Sequence, residues 1–105
     1  MNALRAAIAV AALCAAGAVA AQSGEDLIKK DGCTACHAVD KKIVGPAYID
    51  VANKYRSDPK AATYLADKIK KGGSGVWGPI PMPPNTQVSD ADIKVIVPYI
   101  LGLKK

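Results

Sequence analysis

Apolar positions near the end of the chain recur as Ile93, Ile96, Val97, Ile100 and Leu101. This i, i+3, i+4, i+7, i+8 series puts one apolar stripe along a helix. Ser89-Asp90-Ala91-Asp92 stands ahead of it as a capping sequence. Pro98 falls inside the pattern, removes the hydrogen bond to the Lys94 carbonyl and is expected to kink the helix. Ala61, Leu65 and Ile69 recur at four-residue spacing in a second helix. That helix is predicted to start with Asp58 as N-cap and Pro59 as its first residue, and to run to Lys71. Gly72-Gly73 stops it, and Lys68, Lys70 and Lys71 sit where the C-terminal dipole favours cations. Ser23-Gly24-Glu25-Asp26 caps a short helix through about Lys30, which Gly32 ends. A further short helix is predicted over residues 47–55, after Gly45-Pro46. No segment alternates like a strand, no repeat is visible and no long linker divides the chain. The pattern predicts one all-α domain of four or so short helices.

Residues 1–21 follow a different rule. They are apolar without helical polarity: Arg5 near the amino terminus, an apolar stretch over residues 6–16, then Ala18-Val19-Ala20 or Val19-Ala20-Ala21 as a small-x-small cleavage site. These are the three regions of a secretory signal peptide, with cleavage expected before Ala21 or Gln22. The apolar run is shorter than the roughly 18–20 residues that span a bilayer. Cys14 lies inside it, but Ala11 and Leu13 do not make a lipidation site around it. The expectation is a leader over residues 1–21 and an exported, soluble domain over residues 22–105.

Composition changes the picture once the leader is set aside. The chain has 105 residues, 50% apolar, with a formal net charge of +5. Removing Arg5 with the leader lowers the charge by one, to +4. Aromatics are few: Trp77, four tyrosines and no phenylalanine. So small a core is marginal on burial alone, which calls for a staple. A multi-domain enzyme and a membrane channel are excluded on size and pattern.

The candidate staple lies in Cys33-Thr34-Ala35-Cys36-His37. A C-x-x-C pair can cycle between thiol and disulfide in an oxidising compartment. It can also form half of a zinc site, but zinc wants four ligands and the chain has no second C-x-x-C and no second histidine. With histidine next, the pattern matches covalent haem attachment: two thiols reach two vinyl groups, and the imidazole stands beneath the iron. A covalently held apolar disc would replace the missing aromatic core. The sixth ligand follows by elimination. His37 is the sole histidine, and Met1 leaves with the leader, so Met82 is the one remaining thioether. It lies among four prolines between Pro79 and Asn85, which forbid a helix and stiffen an extended loop. Most methionines are core filler, but filler needs no such clamp. A His/Met pair raises the reduction potential and leaves no open position for oxygen or peroxide chemistry.

Residues 22–105 resemble the short bacterial class I cytochromes c, the cytochrome c-551/c-552 type that donates electrons to nitrite reductase in denitrifiers. The resemblance rests on Gly32-Cys33-x-x-Cys36-His37-Ala38, Val44-Gly45-Pro46-Ala47-Tyr48 and the run from Gly75-Val76-Trp77-Gly78 through Pro79-Ile80-Pro81-Met82-Pro83-Pro84-Asn85. It implies the class I cytochrome c fold, wrapped around one haem c. Cys33 and Cys36 would form the thioethers, and His37 and Met82 the axial ligands. The Pro46 carbonyl would accept the other ring N–H of His37. The Asn85 side chain would lie near the Met82 sulfur, and the Trp77 indole N–H would reach a haem propionate. Lys68 stands where some relatives carry an arginine that pairs with a propionate, and would make a point-charge contact in its place. Tyr99 falls where a tryptophan is common, and Pro98 beside it is a further departure.

The function so implied is a periplasmic one-electron shuttle, not an enzyme, whose iron alternates between ferric and ferrous. Expected partners are redox proteins docking at the exposed haem edge: nitrite reductase, a terminal oxidase, a peroxidase or an upstream quinol-oxidising complex. Val44, Ile80, Pro81, Pro83 and Pro84 are candidates for the apolar contact patch, with Lys29, Lys30, Lys41 and Lys42 as candidates for steering. A monomer is expected, without stable membrane insertion and without nucleic-acid binding. The alternative is a thiol–disulfide oxidoreductase using Cys33 and Cys36.

Overall fold

The computed structural model describes residues 22–104; the leader reading at residues 1–21 lies outside them. The described residues form four α-helices and no strand: α1 (Gly24–Lys30), α2 (Tyr48–Tyr55), α3 (Ala61–Lys71) and α4 (Asp90–Leu101). One turn of 3-10 helix, Cys33–Ala35, follows α1.

Both serine caps form as the sequence predicts. Ser23 Oγ accepts the Asp26 N–H at 3.2 Å, and Ser89 Oγ accepts the Asp92 N–H at 3.1 Å. Each satisfies one of the donors that a helix start leaves without a partner. Gly32 lies two residues past α1 at φ +81°, a left-handed turn that glycine takes without steric cost. It redirects the chain into the Cys33 turn.

The start of α3 differs from the prediction. Asp58 is not its N-cap and Pro59 is not its first residue; the helix begins at Ala61. Asp58 Oδ1 accepts the Lys60 N–H at 2.8 Å, and its carbonyl accepts the Ala61 N–H at 3.1 Å. The carboxylate thus closes a local turn over Pro59 and Lys60, competing with helix nucleation there. Pro98 is also accommodated: α4 runs through it to Leu101, and Gly102 N–H bonds back to the Pro98 carbonyl at 3.0 Å. Burial explains the tolerance. Ile93, Ile96, Val97 and Ile100 are all nearly inaccessible. Each such side chain contributes about 1.5–3 kcal/mol on burial, against roughly 3 kcal/mol for an interior proline.

Helix α4 is the hub, packing on α1, α2 and α3. Its partners bring Leu27 and Ile28 from α1, Tyr48 and Val51 from α2, and Leu65 and Ile69 from α3 into one cluster. Gly24 lies flush against the Tyr99 ring, where a Cβ would collide with it. Arg56, just past α2, donates to the carbonyls of Leu101 and Leu103 and ties down the end of α4. Helices α2, α3 and α4 form one side of a cleft. Loops around residues 36–46 and 72–85 form the rest of it. Among the described residues no helix is long and apolar enough to cross a membrane.

Candidate functional site

The Cys33–Ala35 turn brings Cys33, Cys36 and His37 to the cleft in one short segment. The His37 N–H bonds to the Cys33 carbonyl at 3.1 Å, and the Cys36 carbonyl accepts the Gly45 N–H at 2.7 Å. The loop is thereby folded back on the segment, with an isolated bridge between His37 and Lys42. Both cysteines are free and half-buried at the cleft wall.

The His37 ring is held on several sides. Nδ1 lies 2.8 Å from the Pro46 carbonyl oxygen and donates to it, the contact expected from the sequence. That fixes the tautomer and leaves Nε2 as the lone-pair donor. A Cβ on Gly45 would sit 2.5 Å from His37 Cε1, so only glycine lets the backbone come this close. Tyr48 stacks on the ring, with centroids 5.0 Å apart and planes inclined by 21°.

Met82 reaches the same cleft from the proline-rich loop. It is held through its backbone: Gly73 N–H bonds to the Met82 carbonyl at 3.0 Å, and Met82 N–H to the Gly73 carbonyl at 2.8 Å. Gly72, at φ +70°, has the Met82 carbonyl where a Cβ would stand. Asn85 anchors the far end. Its backbone N–H bonds to the Ile69 carbonyl at 2.9 Å, and its amide Nδ2 donates to the Ile69 and Pro83 carbonyls, both at 3.2 Å. Its amide is therefore engaged with main-chain oxygens on either side of Met82. This restrains the methionine by shaping its loop.

Lys68 and Trp77 both line the cleft. Lys68 Nζ lies 5.4 Å from the Tyr64 ring centroid, and Lys54 Nζ lies 5.8 Å from those of Tyr55 and Trp77. Tyr55 and Tyr64 pack at 5.2 Å. Burial and the neighbouring Tyr64 push the Tyr55 phenol above its ordinary pKa, so it remains an O–H donor. Tyr48, Tyr55 and Tyr64 escaped the sequence reading as site residues. Tyr48 stands in the Gly45-Pro46-Ala47-Tyr48 motif, which was the one available signal. Nothing local marks Tyr55 and Tyr64, which meet only when α2 and α3 pack.

Two expectations are narrowed. Lys29 pairs with Glu25 at 3.4 Å and Lys30 with Asp92 at 3.6 Å, so two of the four steering candidates stand beside a carboxylate of their own chain. Lys42 lines the cleft and has no carboxylate partner among the described residues. The thiol–disulfide alternative gains no support from the structure. Burial is the main cause that raises the Cys33 thiol pKa, whereas a nucleophilic C-x-x-C cysteine requires a lowered one. Among the described residues the fold also lacks the strands of a thioredoxin-like domain.

The residues present fit a haem. Two free thiols, an imidazole with its second nitrogen engaged and a thioether converge on one cleft. Apolar side chains from α2, α3 and α4, including Val51, Leu65, Ile69 and Ile96, line its depth. A soft and a borderline donor suit an iron porphyrin, and among the described residues no cluster of three or more His, Cys, Asp or Glu offers a competing metal site.

The comparisons agree with that fit. The Cytochrome c family profile matches residues 21–104. Cytochrome c-552 of Nitrosomonas europaea is 61% identical over 84 residues, 80% of this chain and 82% of that one. Cytochrome c-551 of Pseudomonas aeruginosa is 50% identical over 97 residues, 92% of this chain and 91% of that one. The crystal structure of the Nitrosomonas europaea cytochrome c552 superposes with a TM-score of 0.74, covering 76% of this chain and 99% of its own. Fold, cleft and similarity therefore agree: the chain belongs to the cytochrome c family, a class I cytochrome with one covalently bound haem c under His/Met ligation.

Proposed function

We propose that this protein is a periplasmic electron carrier whose haem is attached through Cys33 and Cys36 and ligated by His37 and Met82. The observation that carries the assignment is the convergence of those four side chains on one cleft from two separate loops. When bound, the haem supplies a one-electron ferric/ferrous couple. The protein's own residues hold its surroundings constant. The Pro46 carbonyl keeps Nδ1–H of His37 engaged, and the Gly73 and Asn85 hydrogen bonds hold the Met82 loop, so the ligands need not move when an electron passes. With His37 and Met82 both holding the group, no position on it would be left open for bond-making catalysis.

Trp77 and Lys68 serve the propionate end of the group, with Tyr55 and Tyr64 beside them. An indole N–H and an ammonium suit carboxylates that would otherwise sit against apolar walls. Redox partners dock over Val44, Val76 and Ile80, which are about half exposed, beside Lys42. Export by the leader at residues 1–21 places these partners in the periplasm. They are an upstream quinol-oxidising complex as donor, and nitrite reductase, a terminal oxidase or a peroxidase as acceptor.

Mass spectrometry of the purified protein tests the site. The expected chain carries one haem and no alkylatable thiol at Cys33 or Cys36, and starts at Ala21 or Gln22. Two alkylatable thiols on an unloaded chain would refute the assignment. Stopped-flow oxidation by each candidate acceptor then tests the partner.

A further inference from the structure

Tyr48 is used by nothing in the mechanism above, yet it touches the His37 ring. It is 5% exposed and is the first residue of α2. Its N–H bonds to the Ala38 carbonyl at 2.9 Å, so its backbone is tied to the residue after His37. Its ring lies on the imidazole, with centroids 5.0 Å apart and planes inclined by 21°. Tyr48 is therefore tied to the segment at His37 and at the residue after it.

An imidazole bound through Nε2 keeps one rotational freedom, the turning of its plane about that bond. The Nδ1–H contact with Pro46 restrains an edge of the ring, and a single hydrogen bond tolerates a wide range of plane angles. A face contact does not. Turning the imidazole would drive its edge into the Tyr48 ring. Tyr48 cannot easily give way, because its own ring is packed in the core cluster with Val51, Ile96 and Ile100.

We propose that Tyr48 is a positioning residue: its aromatic face sets the plane angle of the His37 imidazole, and its hydroxyl is not needed for this. The inference rests on His37 being the iron ligand. Ring orientation is one of the levers by which a ligand's surroundings tune a metal, so the angle bears on the potential of the couple.

The test is the imidazole plane in the ferrous, diamagnetic holoprotein, read from nuclear Overhauser contacts between the His37 ring protons and the haem meso protons. Tyr48→Phe keeps the face and is expected to keep the native contact pattern. Tyr48→Leu and Tyr48→Met keep apolar volume without a flat face. In whichever of them loads haem, the pattern is expected to shift or average over several angles, with a shifted reduction potential. Ile93→Val, a core truncation outside the cleft, is expected to lower the melting temperature without turning the ring. A native pattern in Tyr48→Leu or Tyr48→Met overturns the proposal. So does an altered pattern in Tyr48→Phe, or one in Ile93→Val that follows lost stability. Absence of His37 contacts to the haem in the native protein would instead overturn the ligand assignment itself, which keeps the two failures apart.

Discussion

The two ligands meet the cleft on very different supports. His37 follows a helical turn and is gripped directly: a carbonyl on one nitrogen, a bare glycine backbone near Cε1 and an aromatic ring on its face. Met82 sits in extended chain and is held through its main chain, by the reciprocal pair with Gly73 and by Asn85 reaching across to α3. A side chain gripped by contacts loses its place only if those contacts go. A side chain held by its loop moves whenever the loop does. The contrast makes the methionine side the part of the site that yields first, by local opening with the helical core intact.

The sharpest way to break the comparison is Met82→Ala. The folded protein is expected to keep its haem on the cysteines and His37 but to lose the far-red sulfur-to-iron band of the ferric form. Its potential should fall by on the order of 0.1 V or more, within the roughly 0.8 V span that axial ligands command. Spectroelectrochemistry reads both. Next in size is Gly45→Ala, whose methyl would press on His37 Cε1 at 2.5 Å. Overpacking of this kind costs about 1–3 kcal/mol and should disturb the histidine side while sparing the methionine band. A denaturation curve followed in the far-red and in the ultraviolet separates the two effects.

Asn85→Ala attacks the other side. It deletes the donors to the Ile69 and Pro83 carbonyls, each hydrogen bond worth about 0.5–1.5 kcal/mol. Global stability should fall by that order, and the far-red band should be lost at lower denaturant than the helical signal. Simultaneous loss of both signals would show that the two sides are equally firm.

Asp31 offers a smaller effect, remote from either ligand. It caps α1 at 9% exposure, with Oδ2 unpartnered among the described residues. Burial first, then the neighbouring Asp92 carboxylate, raise its pKa above the ordinary 3.8. Between 3.8 and that raised value the folded chain keeps a proton that the unfolded chain has lost. Stability therefore falls as pH rises through this window. Asp31→Asn removes the titration and can donate to Asp92. It is expected to gain roughly 1 kcal/mol at neutral pH and to flatten the pH profile there, as measured by urea unfolding at several pH values. The smallest effect belongs to Lys42→Glu. Reaction with an acidic redox partner should slow a few-fold at low salt, and the difference should fade as salt screens it.

Much of this was legible in the chain, for identifiable reasons. Haem attachment is a contiguous motif, and a single histidine leaves Met82 as the remaining candidate. The α4 stripe and the Ser23 and Ser89 caps depend on neighbours within a turn or two, so spacing reveals them. Pro46 was legible through family resemblance and stands 2.8 Å from Nδ1 as expected. The start of α3 was misread because Asp58 had two uses for its carboxylate, and a local turn won over a helix cap. Ion pairs between helices are not visible in one dimension: Lys30 meets Asp92 from the far end of the chain.

What the sequence by itself determined is the chemistry: which atoms can bind a haem, which segments are helical, and that one small all-α domain needs a cofactor as its core. Those properties depend on residue type and short-range spacing. The tertiary structure alone decided how firmly each ligand is held. It set Tyr48 on the imidazole, placed Gly73 beside Met82, brought Tyr55 to Tyr64 and buried Asp31 near Asp92. Except where Tyr48 stands near its partner, these residues meet across loops and between helices. Such contacts exist only once α4 has gathered the other three helices around it, and packing selects them where local preference cannot.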